Sequence, residues 1–353
     1  MNALLALARP EIVSLKPYSH AAWLPGLARL HANEAPWRAE HDNSRLGLNR
    51  YPEPQPAALI ERLSALYGVP AARILATRGA DEAIDLLARI FLRAGVDSIL
   101  QCGPSFGMYQ VAARIQGAGV IELPLSRERG WNIDAHQLLA AWHPGVKLLF
   151  LCSPNNPTAN LLDASMLETV CAALAAKAVV VIDEAYVEWS RSPSLTGWLD
   201  RFPHLVILRT LSKAHALAGA RLGSMLAAPE LIEIAKRVIP PYALTQSTIE
   251  AALLALQPAQ LAISEARRDS LLLEREYLAA GLSASPLVEK VWPSDTNFLL
   301  IDCHDAERFM KDSIAGGSIV RDLRANAALP RSVRVSVGTR AENDAVLASV
   351  NGS

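Results

Sequence analysis

Asp183, Tyr186, Thr210, Ser212, Lys213 and Arg221 are crowded into one stretch of the chain, and together they suggest a single piece of chemistry. The stretch reads VVVIDEAYVEWS and, shortly after, LVILRTLSKAHALAGARLG. Lysine is the usual protein nucleophile toward an aldehyde. A carboxylate opposite a pyridine nitrogen keeps that nitrogen protonated, so the ring can absorb electrons from a developing carbanion. Arginine, hydroxyls and free backbone N–H groups hold a phosphate dianion. An anionic pyridine aldehyde needs all of these at once, and pyridoxal phosphate fits that description. Taken singly the residues are ordinary: a Ser-Lys pair is commonly a solvated loop pair, and an acid after an apolar run is often a cap. Their order carries the reading.

Two short apolar runs, 179–182 and 205–208, have the character of parallel strands buried on both faces. Asp183 follows the first; Thr210, Ser212 and Lys213 follow the second. Ligands of open α/β sheets sit beyond the carboxyl ends of the strands, so these side chains are expected to share one crevice. Further strands are expected over 98–101 and 147–152, with a helix over 164–176 crossing to the 179–182 strand. After 98–101 come Phe106 and Tyr109; either can lie flat on a planar ring, while core packing is the ordinary fate of such aromatics. Asn156 precedes a proline, which holds it extended and lets its amide point into the crevice. A helix over 56–67 ends at Gly68, a residue suited to a C-cap. The segment from Thr77 through Gly79, Ala80 and Asp81 opens an amphipathic run. Its free N–H groups make an anion site, or else Asp81 or Thr77 simply caps the helix.

The repeated strand–loop–helix rhythm predicts a three-layer α/β fold, a mostly parallel sheet with helices on both faces. After a long helix over 258–281 the composition changes, and strands over 296–302, 318–322 and 332–337 suggest a smaller α+β domain. The expected division is an N-terminal arm with part of the small domain (1–45), a large cofactor-binding domain (46–255) and a small C-terminal domain (256–353). Arg334 lies between Val333 and Val335, either a surface strand arginine or an inward clamp for a substrate anion. With 34 Lys+Arg against 35 Asp+Glu the net charge is −1, which gives no electrostatic case for nucleic acid. Four cysteines without CxxC spacing favour a reducing compartment over disulfides or zinc. His41 has no partner at ligand spacing, so no metal is expected. Pro10, Pro17, Pro25 and Pro36 break any long helix near the start. The apolar patch in MNALLALARPEIVSL is too short for a membrane span and lacks a basic leader; a packing arm and a cytoplasmic protein are expected.

Seven segments, NRYPEPQ, RGADE, PSFGMY, CSPNNPT, VIDEAY, RTLSKAHALAGARLG and VRVSVGTR, together resemble histidinol-phosphate aminotransferase, a fold-type I pyridoxal phosphate family of histidine biosynthesis. The similarity runs from about Pro10 to the C-terminus. It implies a catalytic set of Lys213, Asp183 and Tyr186, with Lys213 holding the cofactor and shuttling a proton, and Asp183 on the ring nitrogen. Tyr186 and Asn156 would meet the ring hydroxyl, and Phe106 would stack on the ring. The backbone of Ala80 and Asp81, with Thr210, Ser212 and Arg221, would hold the phosphate, helped by Tyr51 from the second subunit of a homodimer. Arg334 would bind the substrate anion, with Tyr18, Asn33 and Arg321 nearby. The implied reaction is transamination between histidinol phosphate and 2-oxoglutarate, giving imidazole-acetol phosphate and glutamate. Aromatic amino acid transamination and threonine-phosphate decarboxylation are the alternatives within the family; a non-catalytic protein reusing the fold is the alternative outside it, opposed by the intact Lys213, Asp183 and Arg221. The chain departs from the family at Ala159, where glycine is common, at Phe106, where tyrosine is frequent, and at His215, where an aromatic is frequent.

Overall fold

The computed structural model describes residues 4–21, 24 and 26–351; Pro25 and the first residues of the arm fall outside them. Seven strands make the main sheet: β1 (Ile74–Thr77), β2 (Ser98–Gly103), β3 (Gly119–Pro124), β4 (Val146–Cys152), β5 (Val179–Asp183), β6 (Leu205–Thr210) and β7 (Gly223–Leu226). Their order is β1-β7-β6-β5-β4-β2-β3. The run from β6 to β3 pairs in parallel, and β7 alone is reversed against both its neighbours. Successive side chains of a strand point to opposite faces. Accordingly Val180, Ile182, Leu205 and Ile207 enter a core with Leu167 and Val170 of the helix Ala164–Ala173, while Val179, Val181, Val206 and Leu208 enter a second core with Leu86, Leu87 and Phe91 of the helix Gly79–Phe91. Burial on both faces is why these strands are continuous apolar runs. The mostly parallel three-layer architecture is as the sequence suggests.

Because β7 runs backwards, its first residue lies at the same edge as the last residues of the parallel strands. Thr77, Gly103, Cys152, Asp183 and Thr210 end their strands there, and Gly223 begins β7 there. That geometry delivers Arg221 to the crevice. The helix Ala57–Tyr67 ends at Gly68 with φ 65°, the left-handed C-cap anticipated for it.

The second sheet is antiparallel, in the order β10-β11-β9-β8: β8 (Val288–Val291), β9 (Phe298–Cys303), β10 (Arg321–Asp322) and β11 (Ser332–Ser336). The strand expected over 318–322 shrinks to Arg321–Asp322. Among the described residues it is the edge strand of its sheet, and Ile319 just before it is exposed. The two sheets are fastened together. Arg127, from the loop after β3, lies against both Trp131 and Trp292, 5.4 and 5.2 Å from their ring centroids, and pairs with the buried Asp302 of β9. Asp302 also accepts from Trp292 Nε1 at 2.6 Å and from Ser332 Oγ at 2.6 Å. The Asp295 N–H donates to the Ala159 carbonyl at 2.8 Å. Strand β11, which carries Arg334, is thereby held against the edge of the main sheet.

Candidate active site

A cleft opens at this edge, lined by Asp183, Ala185 and Tyr186 together with Gly79, Ala80 and Arg221. Lys213, Thr210, Ser212, Phe106, Asn156 and Cys152 complete it. At its inner end Asp183 is 3 % exposed. Its Oδ2 accepts from the Tyr109 hydroxyl at 2.7 Å and its Oδ1 from the Ala185 N–H at 3.0 Å. Burial pushes the Asp183 carboxyl up, and these two hydrogen bonds oppose the shift. The Lys213 ammonium lies 5.4 Å from the centre of the Tyr186 ring. Burial, with Arg334 and Arg221 nearby, holds Lys213 below the usual lysine range, which raises the fraction present as free amine. Asn156 Nδ2 donates to the Tyr186 hydroxyl at 3.3 Å, and its Oδ1 accepts from Arg334 Nη1.

The outer end is built differently. Gly79 begins its helix at φ +75°, a backbone conformation that favours glycine. The helix starts without a side-chain cap, contrary to the capping alternative. Asp81 instead pairs with Arg221 Nη2 at 3.0 Å, and the Thr77 hydroxyl donates to the Gly79 carbonyl at 2.8 Å. First-turn N–H groups are left facing the cleft, the arrangement that receives an anion. Arg221 itself stands at φ +57°. The Ser212 N–H donates to Thr210 Oγ1 at 3.1 Å, and the Thr210 hydroxyl donates to Ser212 Oγ at 2.9 Å, so the two hydroxyls sit side by side.

Other expected site residues are distributed unevenly. Arg334 is half-buried, its guanidinium 5.1 Å from the centre of the Phe298 ring, and it faces Asn156; it is the inward arginine of the two readings. Arg321 is its direct cross-strand partner but is exposed. Tyr18, Asn33 and Tyr51 do not line the cleft of their own chain. Tyr51 stacks on Tyr242 at 4.6 Å and 19°, Tyr242 packs edge-on against His20 at 5.5 Å, and His20 against Tyr18 at 5.6 Å. Asn33, at φ 55°, lines the same outer groove as Tyr51 and Tyr242. Phe106 lines the cleft, whereas Tyr109, the other candidate for stacking on a planar ring, is buried behind it; its ring is occupied by Phe150 at 4.8 Å and 9°. Sequence reasoning missed the Tyr109–Asp183 bond and also a buried charged group on the other face of the sheet. Arg209 of β6, 4.8 Å above the Tyr67 ring, pairs with Glu188 at 2.7 Å and with Glu184 at 3.6 Å.

A sheet edge that gathers an amine, a buried carboxylate and an anion cradle defines a class of group-transfer enzyme, and the aminotransferase class I and II family matches residues 26–350. The histidinol-phosphate aminotransferase of Stenotrophomonas maltophilia is 45% identical over 99% of this chain and 98% of its own length, and that of Escherichia coli 41% identical over 97% and 96%. The solved structure of histidinol-phosphate aminotransferase from Sinorhizobium meliloti in complex with pyridoxal-5'-phosphate shares the fold, with a TM-score of 0.76 at 24% identity, covering 86% of this chain and 82% of that one. The chain belongs to the class I and II aminotransferases and, within them, to the histidinol-phosphate aminotransferase family. No helix among the described residues is long and apolar enough to cross a membrane.

Proposed function

We propose that this aminotransferase binds pyridoxal phosphate in the cleft and moves an amino group between histidinol phosphate and 2-oxoglutarate, as a cytoplasmic homodimer. The observation that carries the cofactor reading is the meeting, in one cleft, of the Lys213 amine, the hydrogen-bonded Asp183 carboxylate and the N–H cradle that begins at Gly79. The cradle passes a steric test: a Cβ built on Gly79, which lines the cleft, would meet Arg221 Nη2 at 2.7 Å, so bare backbone is what lets the arginine stand over the first turn of the helix. When bound, pyridoxal phosphate supplies an aldehyde for the amine and a ring that absorbs electrons.

The chain's own groups do the rest. Asp183 holds a proton on the ring nitrogen. Lys213 Nζ, with its basicity lowered, would take a proton from the amine-bearing carbon of the substrate and deliver it to the former aldehyde carbon of the cofactor, a 1,3-shift between two carbons. Tyr186 and Asn156, already hydrogen-bonded to one another, orient the ring hydroxyl. Thr210, Ser212, Arg221 and the first turn of the helix Gly79–Phe91 hold the phosphate. Tyr51 reaches the cleft of a second subunit, which is consistent with its place outside its own. Arg334 receives a carboxylate in one half-reaction and a phosphate in the other, with Tyr18, Asn33 and Arg321 beside the substrate. The register that sets Arg321 opposite Arg334 favours a dianionic substrate over an aromatic amino acid, since two like charges facing each other on a sheet are unfavourable without one. The expected organisation stays 1–45, 46–255 and 256–353, the small unit carrying Arg334.

The deciding assay compares glutamate-dependent amino transfer to imidazole-acetol phosphate with carbon dioxide release from threonine phosphate. The first is expected; dominance of the second would replace this reading with the decarboxylase. Lys213→Ala is expected to keep the fold and to lose turnover by orders of magnitude, and an active variant would remove the lysine from its role.

A further inference from the structure

We propose that Tyr109 is a positioning residue for the cofactor's ring nitrogen, acting through the hydrogen bond its hydroxyl donates to Asp183. The inference rests on the pyridoxal phosphate reading above. Asp183 is sequestered from water, and its two oxygens are served separately: Oδ1 by the fixed Ala185 backbone, Oδ2 by the Tyr109 hydroxyl at 2.7 Å. Only the second donor is a side chain, so it is the adjustable half of the arrangement. In a dry site a carboxylate depends on such donors to stay ionised and to keep one orientation.

Tyr109 is itself immobilised. Its ring stacks on Phe150 of β4 at 4.8 Å, and Phe106 meets its edge at 5.7 Å and 79°. Phe106 lines the cleft, while Tyr109 enters the first turn of the helix Met108–Ile115 and passes behind Asp183. One short segment therefore fixes both the aromatic face offered to the ring and the acid offered to its nitrogen. Burial beside Asp183 pushes the phenol well above its ordinary range, so it remains a donor at any working pH. The other ionisable groups facing Asp183 are Cys152 from β4, Asp81 from the helix Gly79–Phe91, Lys213 and Tyr186. Burial keeps the Cys152 thiol neutral, and Asp81 and Lys213 act on Asp183 in opposite directions.

The test is equilibrium binding of pyridoxal phosphate to the apoenzyme, followed by visible absorbance between about pH 6 and about pH 9, with Tyr109→Phe against the unaltered protein. A parallel series uses the deaza analogue, which carries carbon in place of the ring nitrogen. Loss of a hydrogen bond to a charged group is expected to weaken pyridoxal phosphate about tenfold. The deficit should grow as pH falls, because Asp183, lacking one donor, takes up a proton at higher pH. Binding of the deaza analogue should not change. Equal weakening of both cofactors would mean a merely structural hydroxyl and would overturn the proposal, as would no change in either. Should Tyr109→Phe fold poorly, Asp183→Asn decides: adding Tyr109→Phe to it is expected to leave pyridoxal phosphate affinity where Asp183→Asn alone puts it, and a further loss sinks the idea. An unaltered apoenzyme that does not bind pyridoxal phosphate at all would fail the cofactor reading instead.

Discussion

The two ends of the cleft solve the same problem, holding one charged group of a ligand, by opposite means. At the inner end the anion belongs to the protein. Asp183 is 3 % exposed, and side-chain chemistry decides its state. At the outer end the anion comes with the ligand, and the protein offers backbone: the first turn after Gly79 and a β7 strand close against it. The charged pair there, Arg221 with Asp81, has side chains 51% and 42% exposed. A pair so open to water contributes at most about 1 kcal/mol to stability. The comparison teaches where each end is vulnerable. The inner end depends on a hydroxyl donor, and the outer end is most sensitive to an added methyl.

Gly223→Ala is the harshest trial of that statement. The new Cβ would press on Gly79 and Ala80 backbone atoms, the latter at 2.5 Å, and backbone cannot swing aside as a side chain can. Thr77 pairs with Gly223 across β1 and β7, so the strain spreads into the sheet. Overpacking of this kind costs about 3 kcal/mol. The variant should show a clearly lower Tm and a large loss of cofactor affinity, both read by thermal melting with and without pyridoxal phosphate. Unaltered melting and affinity would mean that the outer end is not built on a bare backbone.

Tyr51→Phe asks whether the outer end is finished by another subunit. In its own chain Tyr51 is stacked on Tyr242 outside the cleft, and Phe keeps that stacking. Loss of one hydroxyl contact to a phosphate is expected to reduce cofactor affinity about tenfold, with the dimer intact by sedimentation. Affinity equal to the unaltered protein would leave the outer end complete within one chain.

The same contrast explains what could be read from sequence. The inner end was legible up to Asp183, because a strand covered on both faces must be an apolar run and VVVID is one that stops at an acid. Its hydrogen-bond partner was not, since Tyr109 lies 74 residues away and an aromatic after a strand is ordinarily core. Phe106 and Tyr109 could be nominated together, and only packing separates the one that faces the cleft from the one behind it. At the outer end RGADE and GARLG were legible as composition, yet strand β7, which brings Arg221 to the edge, was not. GSML is four residues with neither alternation nor β-branched side chains, so nothing local marks it as a strand. Asp81 does not cap its helix for a related reason: an arginine distant in sequence takes its carboxylate.

The smallest effect is expected at Ala159, beside the inner end. It stands at φ +66°, fully buried, in a cluster with Tyr186, Trp189 and Phe298. Glycine there would relieve about 1 kcal/mol of left-handed backbone strain. It would also forfeit the burial of one methyl, about 0.8 kcal/mol, and gain freedom in the unfolded chain, about 0.5 kcal/mol. These terms oppose and nearly cancel, so Ala159→Gly should shift Tm by no more than about 2 °C in either direction. Cofactor affinity should be unchanged as well, because the hydrogen bonds that serve Asp183 do not pass through this position. A loss of affinity with Tm unchanged would show that packing under Tyr186, and not hydrogen bonding alone, sets the inner end, and the contrast between the two ends would have to be redrawn.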